Sequence, residues 1–482
     1  MAAFTEYTNY DGLGLAQLIR DKQVSAGEVL EAALAAAAAV DPQIHAIVYD
    51  MTDEATRTIE AGLPAGPFSG VPFVIKDFVI NYAGVPTTSG SRLFAGLVPE
   101  HDTELMARFR RAGLVTFAKT TTSEVGFNAN TEAIAYDNPT CNPWDPSRTS
   151  SGSSGGSAAS VAAGIVPLAH ANDGGGSIRM PASANGVLGL KPTRGRVPLG
   201  PDLGDDGLAC LPVELVVSRS VRDTAAALDA VAGPDIGASF WAPPPARRYL
   251  DEVDADPGRL KIAFSPGLSD DIEVHPDAVT AVQDAAALCE ELGHDVVETD
   301  LKIDRAGFTR AWAGAMIAWI GPMLDGVASA LGRTPGPDNL EWATWSVLQH
   351  ARVQKSAELV GAQILFNGLS REFGAFFQDY DLLLTPTTSE PPFKSGRLNQ
   401  NEEGIDAYEF IDKGTFTFGH TAAIFNATGQ PAISVPLYWN AENLPIGAQF
   451  VGRYADETTL IRLAGQLEKA RPWWDKRPPV CA

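Results

Sequence analysis

Cysteine is scarce in this sequence: Cys141, Cys210, Cys289 and Cys481 stand far apart in 482 residues, with no C-x-x-C pair. That spacing suggests neither a disulfide framework nor a zinc site. Basic residues are also in deficit. The net charge of -23 argues against nucleic acid or an anionic membrane as partner, because both would repel such a chain. No run of 18 apolar residues is present to span a bilayer. The start, MAAFTEYTNYDGLGL, lacks the basic-then-apolar pattern of a secretory leader. A soluble, reduced, cytoplasmic protein is therefore expected. The phosphate loop G-x-x-x-x-G-K-[ST], the zinc helix H-E-x-x-H and the EF-hand loop are all missing, and the seven histidines do not cluster. No metal and no cofactor is implied.

Linker-like sequence is missing too, so residues 1–482 read as a single domain. Within it, residues 1–60 form an N-terminal helical region, in which Ser25 and Glu28 make a capping box before an alanine-rich helix to about Val40. HAIVYD and GVPFVIKDFV read as strands, and TELMARFRRAG followed by LVTFAKT is an αβ step of the kind that builds a largely parallel sheet. Residues 202–380 read as a less regular insertion, with helices rich in Trp and Met between Ala311 and Trp345. Near the end, DLLLTPTT, FNATGQPAISVPL and PIGAQFVG read as strands, and ETTLIRLAGQLEKA as a terminal helix.

The unusual stretch is Ser150 to Pro181, where two Gly/Ser clusters enclose a helix of small residues and a buried strand. Gly152-Ser153-Ser154-Gly155-Gly156 satisfies G-x-S-x-G, which would make Ser154 a nucleophile. That motif needs a buried strand before it, and CNPWDPSRTSS supplies two prolines and no apolar run. The second cluster fits chemistry better. Gly174, Gly175, Gly176 and Ser177 follow a strand directly, so successive backbone N–H groups can form a concave anion site, as acyl transfer requires. Ser177 beside such donors is a candidate nucleophile that still needs a base. Lys76, inside an apolar strand, is the unusual cation, and its neighbour Asp77 points to the opposite face.

Together, Gly70-Val71-Pro72 with Lys76-Asp77, the Gly152–Ser157 cluster and Asp173 through Pro181 resemble the amidase signature family of serine hydrolases. The interval of 24 residues from Ser153 to Ser177 agrees, and NPW at Asn142, LGLKPTRG, LLLTPT and TGQPAISVP extend the likeness over nearly the whole chain. Ser151 departs from the pattern, since the family usually has Gly there. The resemblance implies an α/β fold in which a large mixed, mainly parallel β-sheet is covered by helices on both faces. It also implies a Ser-cisSer-Lys triad of Ser177 as nucleophile, Ser153 as bridging serine in a cis peptide and Lys76 as terminal base. Gly174, Gly175, Gly176 and Ser177 would supply the oxyanion hole, with Asp173 and Arg179 bracing the loop.

The wording AHANDGGGSIRMPAS is most similar to the branch of the family that hydrolyses 6-aminohexanoate cyclic dimers, and to its lactam- and anilide-cleaving relatives. By that likeness Asn128 touches the substrate amide and the 202–380 region forms part of the substrate pocket. An asparagine in such a loop equally serves its own turns. The implied partner is a small-molecule amide, and a homodimer is compatible with the sequence. Two other readings share the motifs: the glutaminase subunit of a tRNA-dependent amidotransferase, and a non-catalytic binding module on the same fold.

Overall fold

The computed structural model describes residues 4–204 and 211–482; Cys210 and the rest of 205–210 lie outside the described residues. At the N-terminal end, the helices Gly12–Arg20, Ala26–Ile44 and Thr52–Glu60 flank a short strand, Ile47–Asp50. The capping box forms as read: the Ser25 hydroxyl accepts the Glu28 N–H, and the Glu28 carboxylate accepts the Ser25 N–H at 2.8 Å. The helix it opens runs through Pro42 to Ile44, longer than expected, because Ala33, Ala36, Ala37 and Val40 face the core.

Two sheets carry the site. The smaller one orders Ile47–Asp50, Val115–Thr120 and Pro72–Lys76. Its last two strands are parallel and are joined through the helix Glu104–Arg111. This helix forms for legible reasons. The Thr103 hydroxyl caps its start, Leu105, Met106 and Phe109 are buried, and three arginines complement the partial negative charge of its last turn.

The larger sheet has eight strands, in the order Asp295–Glu298, Lys261–Phe264, Leu382–Pro386, Pro445–Gly452, Ala432–Trp439, Leu188–Lys191, Val213–Ser218 and Leu168–Asp173. It is mixed, as expected, but the balance differs from the expectation of mainly parallel strands. Only the two junctions among the first three strands are parallel, and the other five are antiparallel. The reason is visible at the functional end. Leu168–Asp173 and Leu188–Lys191 are joined through a helix, as in a parallel unit, but Val213–Ser218 inserts between them and pairs antiparallel with both.

The same strand corrects the reading of 202–380 as an insertion. Val213–Ser218, Lys261–Phe264 and Asp295–Glu298 all belong to the central sheet, so this stretch is threaded through the fold. What stands over the sheet is a layer of three helices, Arg305–Ala330, Trp342–Val353 and Ser356–Asp379, sharing a separate apolar cluster around Trp312, Ile317, Leu348 and Phe373. Arg305–Ala330 is long and apolar enough to cross a bilayer by composition, yet half of it is buried against this layer. It is a core helix with one end at the cavity.

Candidate active site

Lys76 is the last residue of Pro72–Lys76, every residue of which is buried. Strand alternation separates it from Asp77, and the two find different partners. Asp77 pairs with the buried Lys119 at 2.9 Å and accepts the Thr88 N–H, whereas the Lys76 ammonium reaches Ser153 Oγ at 2.7 Å and Asn172 Oδ1 at 2.6 Å. Both partners of Lys76 are neutral oxygens. Burial pulls its pKa down from 10.5 to about 7, against the more distant charges of Glu214 and Asp173, which pull it up.

Ser153 sits on the turn between the strand Asp145–Thr149 and the helix Gly155–Ala162, and the Gly152–Ser153 peptide is cis. A Cβ on residue 152 would lie 2.2 Å from the carbonyl oxygen of Asn130, so only glycine fits there. Ser151 has φ of +61°, a left-handed conformation that glycine adopts at less cost than serine. The serine is held by its N–H bond to Thr149 Oγ1 at 2.9 Å and by its hydroxyl bond to the Ala129 carbonyl at 3.2 Å. Ser154, the residue singled out by G-x-S-x-G, is fully buried and its hydroxyl donates to the Asn172 carbonyl at 3.2 Å.

The second cluster follows the strand Leu168–Asp173 and precedes the helix Arg179–Asn185. Asp173 organises it. Its carboxylate accepts the N–H groups of Gly176 at 2.6 Å and Ile178 at 3.2 Å, the Asn426 side chain at 2.9 Å, and two N–H groups of Arg179 at 2.9 and 3.0 Å. Burial opposes the charge on Asp173, but Arg179 and these bonds outweigh it and hold the carboxyl at about 2. Arg179 is itself buried and also donates to the Ala422 carbonyl, Gln449 Oε1 and Asn426 Oδ1. Both residues brace the loop.

The bracing changes the expected anion site in one respect. The Gly176 N–H is already engaged by Asp173, while those of Gly174, Gly175 and Ser177 have no partner among the described residues. Three donors are therefore available where four were expected. The Ser177 hydroxyl likewise makes no hydrogen bond among the described residues, and its side chain reaches the cavity.

That cavity encloses about 620 Å³ including its open mouth. Ser153, Asn172, Gly174, Gly175 and Ser177 form its floor, and Phe78, Phe127, Met180, Trp312, Met316 and Trp319 form apolar walls. Trp312 also packs on the glycine loop: its indole N–H donates to the Gly174 carbonyl at 3.1 Å, and a Cβ at Gly175 would meet its ring at 2.7 Å. Of the aromatic and Met-rich helices, only this first part of Arg305–Ala330 reaches the cavity; Trp342 and Trp345 lie elsewhere. Asn128 lines the cavity as well, but its amide N–H donates to the Leu398 carbonyl at 3.0 Å and its oxygen accepts the Asn130 N–H at 3.4 Å. It holds the 398 loop against the wall.

Three residues that sequence reasoning missed belong here: His170, Asn172 and Glu214. For the first two a signal was present, and for Glu214 there was none. In the strand LAHAND, His170 and Asn172 alternate with alanines at period two, which puts both polar side chains on one face. No group of three or more residues able to hold a metal occurs among the described residues.

The chain as a whole is similar to known proteins. A family model described as Amidase matches residues 28–461. The chain is 35% identical over 481 residues to the 6-aminohexanoate-cyclic-dimer hydrolase of Paenarthrobacter ureafaciens, covering 98% of this chain and 96% of that one. The enzyme of the same description from Pseudomonas sp. (strain NK87) is also 35% identical, with the same coverage. Among solved structures, a 6-aminohexanoate cyclic dimer hydrolase complexed with substrate superposes with a TM-score of 0.93 at 33% identity, over 98% of this chain and all of that one. A bacterial aryl acylamidase superposes at 0.86 with 25% identity, over 96% of each chain. With a buried lysine joined to a serine on a cis peptide, a braced glycine loop and these full-length relatives, the chain belongs to the amidase signature family and is an amide-hydrolysing enzyme of α/β fold.

Proposed function

We propose that this amidase acts through a serine acyl-enzyme, with Ser177 as nucleophile, Ser153 as bridging serine and Lys76 as terminal base. The observation that carries the reading is the 2.7 Å bond between Lys76 Nζ and Ser153 Oγ, at a cis peptide, in the cavity that Ser177 lines. A lysine near 7 is neutral in a useful fraction at neutral pH. It takes the Ser153 proton while Ser153 takes that of Ser177, and Ser177 Oγ attacks the amide carbonyl. The oxyanion that forms is met by the free N–H groups of Gly174, Gly175 and Ser177, each worth about 3 kcal/mol in such sites. Ser153 then returns a proton to the leaving amine, and water releases the acid by the same relay in reverse.

The apolar walls favour a substrate with hydrocarbon on either side of the amide over glutamine. With the likeness to 6-aminohexanoate cyclic dimer hydrolases, they point to cyclic or linear 6-aminohexanoate-type amides, lactams or anilides. This small-molecule reading goes with a water-soluble, cytoplasmic enzyme, which the acidic chain supports. The test is a panel of linear amides, anilides, lactams and cyclic dimers, run on the wild type and three variants. Turnover is expected to vanish in Ser177→Ala and Lys76→Ala, and to fall about 10²–10⁴-fold in Ser153→Ala. Labelling of Ser154 instead of Ser177 by a fluorophosphonate would refute the assignment.

A further inference from the structure

Glu214 is a buried carboxylate that the mechanism above leaves unused. It lies on Val213–Ser218, in direct register with Asn172, the residue that holds the Lys76 ammonium. Opposed residues of an antiparallel pair project to the same face with Cβ atoms about 5 Å apart. The Glu214 side chain therefore stands beside the Asn172–Lys76 contact, and it lines the same cavity as Ser153 and Ser177. It is 1% exposed, and its Oε1 has no hydrogen-bond partner among the described residues. Nε2 of His170 lies 3.3 Å from that oxygen. The other ring nitrogen of His170, Nδ1, accepts the backbone N–H of Lys76 at 3.3 Å. His170 thus touches the lysine backbone on one side and the carboxylate on the other.

We propose that Glu214, placed by His170, is a positioning residue for the base: its charge keeps Lys76 basic enough to accept the serine proton at neutral pH. The inference rests on Lys76 being that base. Burial alone drives a lysine far down, and a base that is too weak accepts no proton from a serine. A carboxylate close by, yet outside hydrogen-bonding contact, offsets part of that fall without locking the ammonium in an ion pair.

Other charges around Lys76 leave the larger part of this role to Glu214. Asp173, on Leu168–Asp173, also raises Lys76 but to a smaller extent and is paired with Arg179, while Lys119, on Val115–Thr120, is paired with Asp77. Burial lowers the pKa of His170, against the upward pull of Glu214. The helix Gly155–Ala162 carries no titratable side chain, and on Ala26–Ile44 none of Glu28, Glu31 and Asp41 is buried.

The test is the pH dependence of fluorophosphonate labelling at Ser177, which reads the base without needing the natural substrate. Labelling by the wild type rises as Lys76 loses its proton. In Glu214→Gln, of equal shape and no charge, the rise is expected about one pH unit or more lower, the reach of a close opposite charge. Glu214→Asp keeps the charge and is expected to stay nearer the wild type, which also serves if the Gln variant fails to fold. An unmoved rise in folded Glu214→Gln overturns the inference, as does a defect confined to KM for ammonium-bearing substrates, which would make Glu214 a substrate contact. Lys76→Ala separates the two levels. If it labels at the wild-type rate, the parent mechanism fails; if it does not label while Glu214→Gln leaves the rise in place, only the tuning role fails.

Discussion

Replacing Arg179 with methionine tests whether the glycine loop is held from beneath. Arg179 is fully buried, forms two N–H bonds to Asp173, and donates once each to Ala422, Gln449 and Asn426. Removing one partner of a buried ion pair costs about 3–5 kcal/mol, because the other charge stays buried and unmatched. The Asp173 carboxyl gives a second measure. Its fall from 3.8 to about 2 corresponds to about 2 kcal/mol of stability, present above the unfolded value and lost as pH drops through the folded one. Arg179 is the largest stabilising cause of that fall, so most of this term should go with it. Arg179→Met is therefore expected to lose at least about 3 kcal/mol in urea denaturation at pH 7. The double variant Arg179→Met/Asp173→Asn should recover part of the loss, since it leaves neither charge of this pair buried without the other. Activity should drop in both, because the loop that carries Gly174 to Ser177 is tied through Asp173. An Arg179→Met protein with a wild-type unfolding midpoint would refute the argument that this pair organises the loop.

Other consequences are simpler to read. The rate at limiting substrate should rise with pH through about 7, because the proposed base, Lys76, can accept a proton only once it has lost its own; a profile flat from pH 5 to 8 would contradict this. Ser154→Ala should keep its activity and lose only about 1 kcal/mol of stability, the worth of the bond to the Asn172 carbonyl, as thermal melting and a rate assay would show. At Ser151, with φ of +61°, substitution by glycine should be nearly neutral, since relief of the left-handed conformation offsets the lost hydroxyl bond. Ser151→Val should instead destabilise by about 2 kcal/mol or more, because a branched side chain is poorly tolerated there.

Much of the architecture was legible because local rules governed it. The capping box at Ser25, the αβ step of Glu104–Arg111 and Val115–Thr120, and the strands Ala432–Trp439 and Pro445–Gly452 all followed periodicity and turn chemistry. The sheet's direction did not. Helix-joined strands look parallel in sequence, and nothing local announces that Val213–Ser218 will slide between two of them. The same long-range pairing brought Glu214 to Asn172, and so hid a residue of the site from any reading of motifs.

The sequence by itself singled out Lys76, Ser153 and Ser177 as candidates and the two Gly/Ser clusters as the unusual stretch, and it separated Lys76 from Asp77. Each of these came from residue type, spacing, strand alternation or, for Ser153, the family resemblance. Only the tertiary structure decided which oxygens receive the lysine, that the Gly176 N–H is already committed to Asp173, and that Trp312 closes the loop from above. Those outcomes depend on the registry of strands and helices distant in the chain, and registry is fixed by packing the whole core rather than by any local pattern.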